Sequence, residues 1–229
     1  MEPRQEKLLK LVIENYIKTA EPIGSKFLSE LGTLEVSGAT IRNELSELEK
    51  AGYLTHPHTS AGRIPTELGY KYYVETILKE REESATSEEV KQKISSPSTL
   101  RELGKQSAAA SQNAVIVISG PNVYYTGTSY LYSQPEFEDN QETVQVSEVF
   151  DNFEEHVNEL FDLVPQGQER IFIGSESPFG GKVSTIMVKI NDEVMFGFVG
   201  PMRMDYKKNI DLIEYIQNII EQNNKRFLM

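Results

Sequence analysis

Apolar residues recur at helical spacing through the first eighty positions and then gather into continuous runs, and that switch organises the chain. From Gln5 to Thr19, Leu8, Leu9, Val12, Ile13, Tyr16 and Ile17 share one helix face, with Glu6, Lys10, Glu14 and Lys18 opposite. Pro22 and Gly24 end that helix. Ser25 is expected to cap a short second helix that holds Phe27, Leu28 and Leu31 and stops at Gly32. Ser37 suits the N-cap of a third helix with Ile41, Leu45 and Leu48 inside, closed by Ala51-Gly52. Three short helices joined by tight turns predict a helix-turn-helix unit. Tyr53 to His56 is strand-like, residues 57–62 are turn-rich, and Arg63-Ile64 can pair back before Pro65 ends the hairpin. Thr66 then caps a helix burying Tyr70, Tyr73, Val74, Ile77 and Leu78. A two-stranded wing directly after the third helix is the winged-helix pattern.

Residues 80–113 change character, with a charge run at Lys79 to Ser84 and a break at Ser95-Ser96-Pro97-Ser98. Two polar helical stretches, Glu88 to Ile94 and Ser98 to Ala110, read as a connector or a weakly packed helix, with a dedicated dimer helix as the other reading. Ala114 to Ile118 is a continuous apolar run, hence a buried strand. Asn122 to Tyr132 reads as strand plus turn. Val146, Val149, Phe150, Phe153, Val157, Leu160, Phe161 and Val164 keep helical spacing for about five turns. Arg170 to Ile173, Val183 to Ile190 and Val194 to Val199 are strands, the last two joined by a turn at Asn191-Asp192. Asp205 can cap a final helix with Ile210, Ile213, Ile216 and Ile220 inside. Strands interleaved with helices predict a small α/β domain with a largely antiparallel sheet.

Composition narrows the function. The 229 residues allow two modest domains, and no apolar run is long enough to span a membrane. The first residues are polar and lead straight into the helix periodicity, so no signal peptide is expected. With no cysteine and three histidines, thiolate chemistry is excluded and acid–base or metal candidates are few. These features suit a cytoplasmic protein. The net charge of −12 argues against nucleic acid only in bulk. Residues 1–80 hold 10 Lys+Arg and 12 Asp+Glu, against 13 and 23 in the remainder, so the acidity sits in the second part.

The outer face of the third helix carries Ala39, Arg42, Asn43, Ser46 and Lys50, with Thr40 and Glu47 at its edge. Arg can donate to guanine and Asn can pair with adenine, whereas an ordinary solvated face also carries these types. Arg63 at the hairpin is the natural wing contact to phosphate. His56 and His58 have a chelating spacing, but a zinc site wants about four ligands, so packing or a phosphate contact by His58 is the simpler role. Gly174 to Val183 mimics a phosphate loop with the wrong spacing to Lys182 and Val183 in place of Ser or Thr. Glu154, Glu155, His156 and Glu159 sit together on a polar helix face, where solvation is the ordinary explanation. No constellation points to an enzyme, and no cofactor or metal is expected.

At three segments the sequence resembles the HrcA family of heat-shock repressors. These are Glu21-Pro22-Ile23-Gly24-Ser25-Lys26, Ala39-Thr40-Ile41-Arg42-Asn43-Glu44 and the wing run Pro57-His58-Thr59-Ser60-Ala61-Gly62-Arg63-Ile64-Pro65-Thr66, extended by Gly69 to Val74. Tyr130 to Phe137 and Phe198 to Tyr206 resemble the family's C-terminal signatures, with residues 138–195 diverging more. There are two departures. Gly38 stands where the family usually has a second serine. Only five residues separate Pro121 from Gly127, where the family usually carries an inserted segment that helps shape its dimer.

The resemblance implies an α+β fold: a winged helix at 1–79, a helical linker at 80–113 and a shortened GAF-like domain at 114–229. It implies a repressor of chaperone genes that binds an inverted-repeat operator in double-stranded DNA as a homodimer, kept competent by a GroEL-type chaperonin. Thr40, Arg42 and Asn43 would then read or position bases. Ser25 and Lys26 would hold phosphate, Ser37 would join the DNA contacts, and His58, Thr59, Ser60, Gly62 and Arg63 would grip the flank. Two other classes stay open: a regulator sensing a small molecule through the GAF-like domain, and a winged helix used for protein contact. The Gly-Pro-Met-Arg-Met-Asp-Tyr run at 200–206 reads first as structure, with Arg203 reaching a carboxylate or carbonyl and Asp205 capping a helix.

Overall fold

A computed structural model describes residues 1–58, 61–77, 93–138, 140–223 and 227. The chain separates into two compact units, Met1–Glu82 and Glu83–Met229. Among the described residues no helix is long and apolar enough to cross a membrane.

The first unit runs α1 (Pro3–Thr19), α2 (Ser25–Glu30), α3 (Gly38–Lys50), β1 (Leu54–Thr55), β2 (Ile64–Pro65) and α4 (Glu67–Tyr72), which continues as a π-helical turn over Tyr73–Ile77. Leu8, Leu9, Val12 and Ile13 of α1 pack with Leu28, Ile41, Leu45, Leu48 and Leu54 in one buried core. Two details depart from the sequence reading, the cap of α2 and the end of the hairpin, and a third feature follows from the shortness of α2. Gly24, not Ser25, is the N-cap of α2, and Ser25 is its first helical residue. Phe27 and Leu31 remain exposed, because a helix of six residues presents one narrow face and only Leu28 reaches the core. Pro65 does not end the hairpin but pairs opposite Leu54 in a ladder two residues long, which an edge strand tolerates because its outer N–H needs no partner. Tyr70, Tyr73 and Val74 are buried as expected, while the Ile77 side chain and Leu78 lie outside the described atoms.

The second unit contains α5 (Leu100–Ser111), β3 (Ala114–Ser119), β4 (Asn122–Thr126), α6 (Thr128–Tyr132), α7 (Asn140–Asp151), α8 (Val157–Leu163), β5 (Glu169–Ile173), β6 (Val183–Lys189), β7 (Val194–Pro201) and α9 (Tyr206–Gln222). Its five strands form one antiparallel sheet in the order β4-β3-β7-β6-β5. On one face Ala114, Ile116 and Ile118 pack with Leu131, Val146, Phe150, Phe153 and Phe179. The other face meets α5, where Gly104 lies against Val117, Tyr124 and Thr126. It also meets α9, where the Tyr206 hydroxyl donates to the Met202 carbonyl at 2.7 Å and contacts Ser184 Oγ at 2.7 Å. Strands covered on both sides are mostly apolar, and β7 is buried along its whole length and β3 from Ala114 to Ile118.

Here too the structure corrects expectations. The stretch Ser98 to Ala110 is no weak connector: Leu100, Leu103, Gly104, Ser107, Ala108, Ala110 and Ser111 are buried. Its small residues are what allow that helix to approach the sheet closely. The Glu88 to Ile94 helix falls mostly outside the described residues. The turn expected before Tyr132 is helix α6. The five-turn helix expected at 146–164 breaks at Asn152 into 3₁₀ geometry over Phe153–His156, so that Phe153 can stack on Phe179 with ring centroids 5.1 Å apart. Arg203 reaches the Glu136 carboxylate and donates to Gln134 Oε1 at 2.7 Å, and Asp205 caps α9 by accepting from the Lys208 amide. Burial holds the Tyr132 phenol above its ordinary value, partly offset by its hydrogen bond with Ser147.

Candidate nucleic-acid interface

Helix α3 begins at Ser37, whose Oγ accepts from the Thr40 amide at 3.2 Å and lies 3.0 Å from the Thr40 hydroxyl. Both hydroxyls therefore serve the helix cap first. Burying Ile41, Leu45 and Leu48 turns the opposite face outward, and Ala39, Arg42, Asn43, Glu47 and Lys50 are exposed there. Glu44 was missed by periodicity: it is buried on α3 and takes its charge partner from Arg4 of α1. A second cross-tie, Gln5 Nε2 donating to Glu47 Oε2 at 2.8 Å, holds the same two helices. A Cβ at Gly38 would stand 3.8 Å from Ser29 Oγ, an ordinary contact, so a serine would fit there.

A cleft of about 380 Å³ opens beside this helix, lined by Ser25, Lys26, Arg42, Gly62 and Arg63 among others. The fold thus brings together residues that lie up to 38 positions apart in the chain. Lys26 is 91% exposed and 3.9 Å from Glu30, an i,i+4 pair at the surface that constrains it little. Ser25 is half-buried at the start of α2, and His58 is exposed. Thr59 and Ser60 lie outside the described residues. Gly62 has a steric reason to be glycine, since a Cβ there would lie 2.5 Å from the Ile23 carbonyl carbon.

Arg63 is placed differently from a free wing cation. Its backbone exchanges two hydrogen bonds with Ile23, N–H to O at 2.8 Å and 2.9 Å. Its guanidinium turns inward, 2.7 Å from Glu49 Oε2, and its Nε is buried without a partner. The other Glu49 oxygen meets His56 Nδ1, so His56 turns to a carboxylate of α3. Glu49 is the residue that the sequence reading overlooked. Its signal was weak, because its position on the polar side of α3 resembles any solvated glutamate.

Comparison with known proteins agrees with this architecture. The family described as HrcA protein C terminal domain matches residues 71–210. The heat-inducible transcription repressor HrcA of Symbiobacterium thermophilum is 43% identical over 126 residues, 53% of this chain and 37% of that protein. The same-named repressor of Desulforamulus reducens is 48% identical over 105 residues, 46% of this chain and 30% of that one. The chain thus matches about a third of the length of these relatives. A crystal structure of a hypothetical protein shares the fold across 97% of this chain and 98% of its own, with a TM-score of 0.80 at 19% identity.

Proposed function

The chain belongs to the HrcA family, and from that premise we propose that it is a sequence-specific DNA-binding repressor of heat-shock and chaperone genes. The observation that carries this reading is the exposure of Arg42 and Asn43 on α3, with Arg42 sharing one cleft with Ser25 and Lys26. A helix presenting Arg and Asn outward can enter the major groove, where bidentate donors separate base pairs, while cations beside it hold phosphate. Arg42 and Asn43 read bases, with Thr40 at the margin. Ser25 and Lys26 contact the backbone at the start of α2, Ser37 adds a contact at the start of α3, and His58, Thr59, Ser60 and Gly62 of the wing grip the flank. Two copies on an inverted repeat would set half-sites one helical turn or a multiple apart. A GroEL-type chaperonin is the proposed partner that keeps the repressor competent.

Anisotropy of a labelled HrcA-type inverted repeat, titrated against a scrambled duplex across salt, tests this directly. Tight binding to the repeat at two chains per duplex is the expected result. Equal weak binding to both duplexes would remove the claim of sequence reading, and salt-independent or absent binding would favour protein contact as the winged helix's role.

A further inference from the structure

We propose that Glu49 is the positioning residue of this interface, and that Arg63 is the strut it holds rather than a phosphate contact. The inference rests on the DNA-binding reading above. One carboxylate grips two points of the wing base: His56, just after β1, and Arg63, just before β2. Glu49 and Arg63 are partly shielded, at 22% and 23% exposure, while His56 is exposed at 38% and adds a hydrogen bond. The Glu49–Arg63 attraction is therefore less screened than that of a surface pair.

The wing needs such a brace. Its ladder is two residues long on each strand, too short to hold an orientation unaided. Two ties hold its base. The paired hydrogen bonds between Arg63 and Ile23 sew it to the turn before α2, where Gly62 permits the close approach. Glu49 sews it to the last turn of α3, the helix that carries Arg42 and Asn43. The wing and the base-reading residues thus share one rigid origin. The Arg63 guanidinium gives one terminal nitrogen to Glu49, turns the other to the Ala61 carbonyl at 3.4 Å and buries its Nε, so its donors are directed to the protein although the side chain still edges the cleft. Contacts from the wing to phosphate then fall to its tip, where His58 is exposed.

Two explanations of the same ion pair predict opposite outcomes. If Glu49 merely masks Arg63, removing its negative charge should tighten DNA binding. If Glu49 positions the wing, E49Q should weaken binding to the inverted-repeat duplex, roughly tenfold for a coupled pair. The test uses the full chain with labelled repeat and scrambled duplexes, and the variants Glu49→Gln, Arg63→Gln and both together. Melting of each variant confirms that it is folded, and Arg63→Gln alone decides the matter should Glu49→Gln fail to fold. The strut predicts that the double variant loses no more than the worse single one. It also predicts that Arg63→Gln leaves the slope of log K against log salt unchanged. Tighter binding by E49Q would overturn the proposal, and so would a slope reduced by about 1 in Arg63→Gln, the mark of a lost phosphate contact. Amide exchange in the DNA-free chain separates this from failure of the DNA reading. If the wild type binds neither duplex, that reading falls, yet faster exchange at Ile23 and Arg63 in E49Q would still support the brace. Unchanged exchange would overturn it.

Discussion

The two units solve the same problem, holding a polypeptide in one shape, by different means. The Glu83–Met229 unit relies on a five-stranded sheet covered on both faces, with Phe196 and Phe198 fully buried. The second unit has polar ties as well, such as Arg203 to Glu136 and Gln134, but the Met1–Glu82 unit, with a small helical core and a two-residue ladder, leans on them more: Arg4 to Glu44, Gln5 to Glu47, and Glu49 to His56 and Arg63. Apolar burial is non-directional and tolerant, whereas polar ties fix orientation. The contrast fits the proposed DNA-binding role, whose candidate contacts lie in the first unit. In that role orientation relative to DNA matters, and individual residues set it.

Four experiments can break or sharpen that contrast. The largest effect is expected from Phe196→Ala, which empties a fully buried site and should cost the second unit about 3–5 kcal/mol. In calorimetry the first unit's transition should not move, and a shift of both transitions by the same amount would show that the units do not stand on separate cores. Gly62→Val drives a side chain into the Ile23 backbone and should cost the first unit about 2–3 kcal/mol. Repeat binding should be lost with the second unit's melting unchanged, so normal affinity in this variant would contradict the tight wing–α2 contact.

Arg42→Ala should leave both transitions in place and cost about 1–3 kcal/mol on the repeat, with much less on scrambled DNA. Equal losses on the two duplexes would reduce Arg42 to a general attractor. The smallest effect concerns Asn209, which is fully buried on α9 with neither amide atom hydrogen-bonded. Replacing it with leucine, of similar size, removes two orphaned polar atoms and should raise the second unit's stability by about 1 kcal/mol. A lower melting temperature would mean that this amide has a partner in solution.

Legibility followed the range of the forces involved. Ser37, Thr66 and Asp205 were readable as helix caps because a cap is a contact over three residues, and each accepts the backbone N–H expected of it. Ser25 was misread because Gly24 can itself take the extended cap conformation one residue earlier. The exposed pair Arg42 and Asn43 followed from periodicity once the buried stripe of α3 was identified. The packed state of α5 was not legible, since an alanine- and serine-rich helix carries little hydrophobic signal until a sheet is available to accept its small face. The break at Asn152 was hidden for a similar reason: apolar spacing ran on through it, while the change to 3₁₀ geometry accompanies the stacking of Phe153 on Phe179, a tertiary contact.

By itself the sequence determined the two kinds of unit, the order of their main elements, the outward face of α3 and the family to which the chain belongs. These depend on local periodicity, short-range capping and residue identity, all written along the chain. Tertiary structure alone decided where the charges find their partners. Glu44, Glu49 and Arg63 look like surface residues one at a time, and their roles appear only when folding brings positions 4, 49, 56 and 63 within reach of their partners. A charge's effect depends on distance and burial, and neither quantity is carried by sequence spacing.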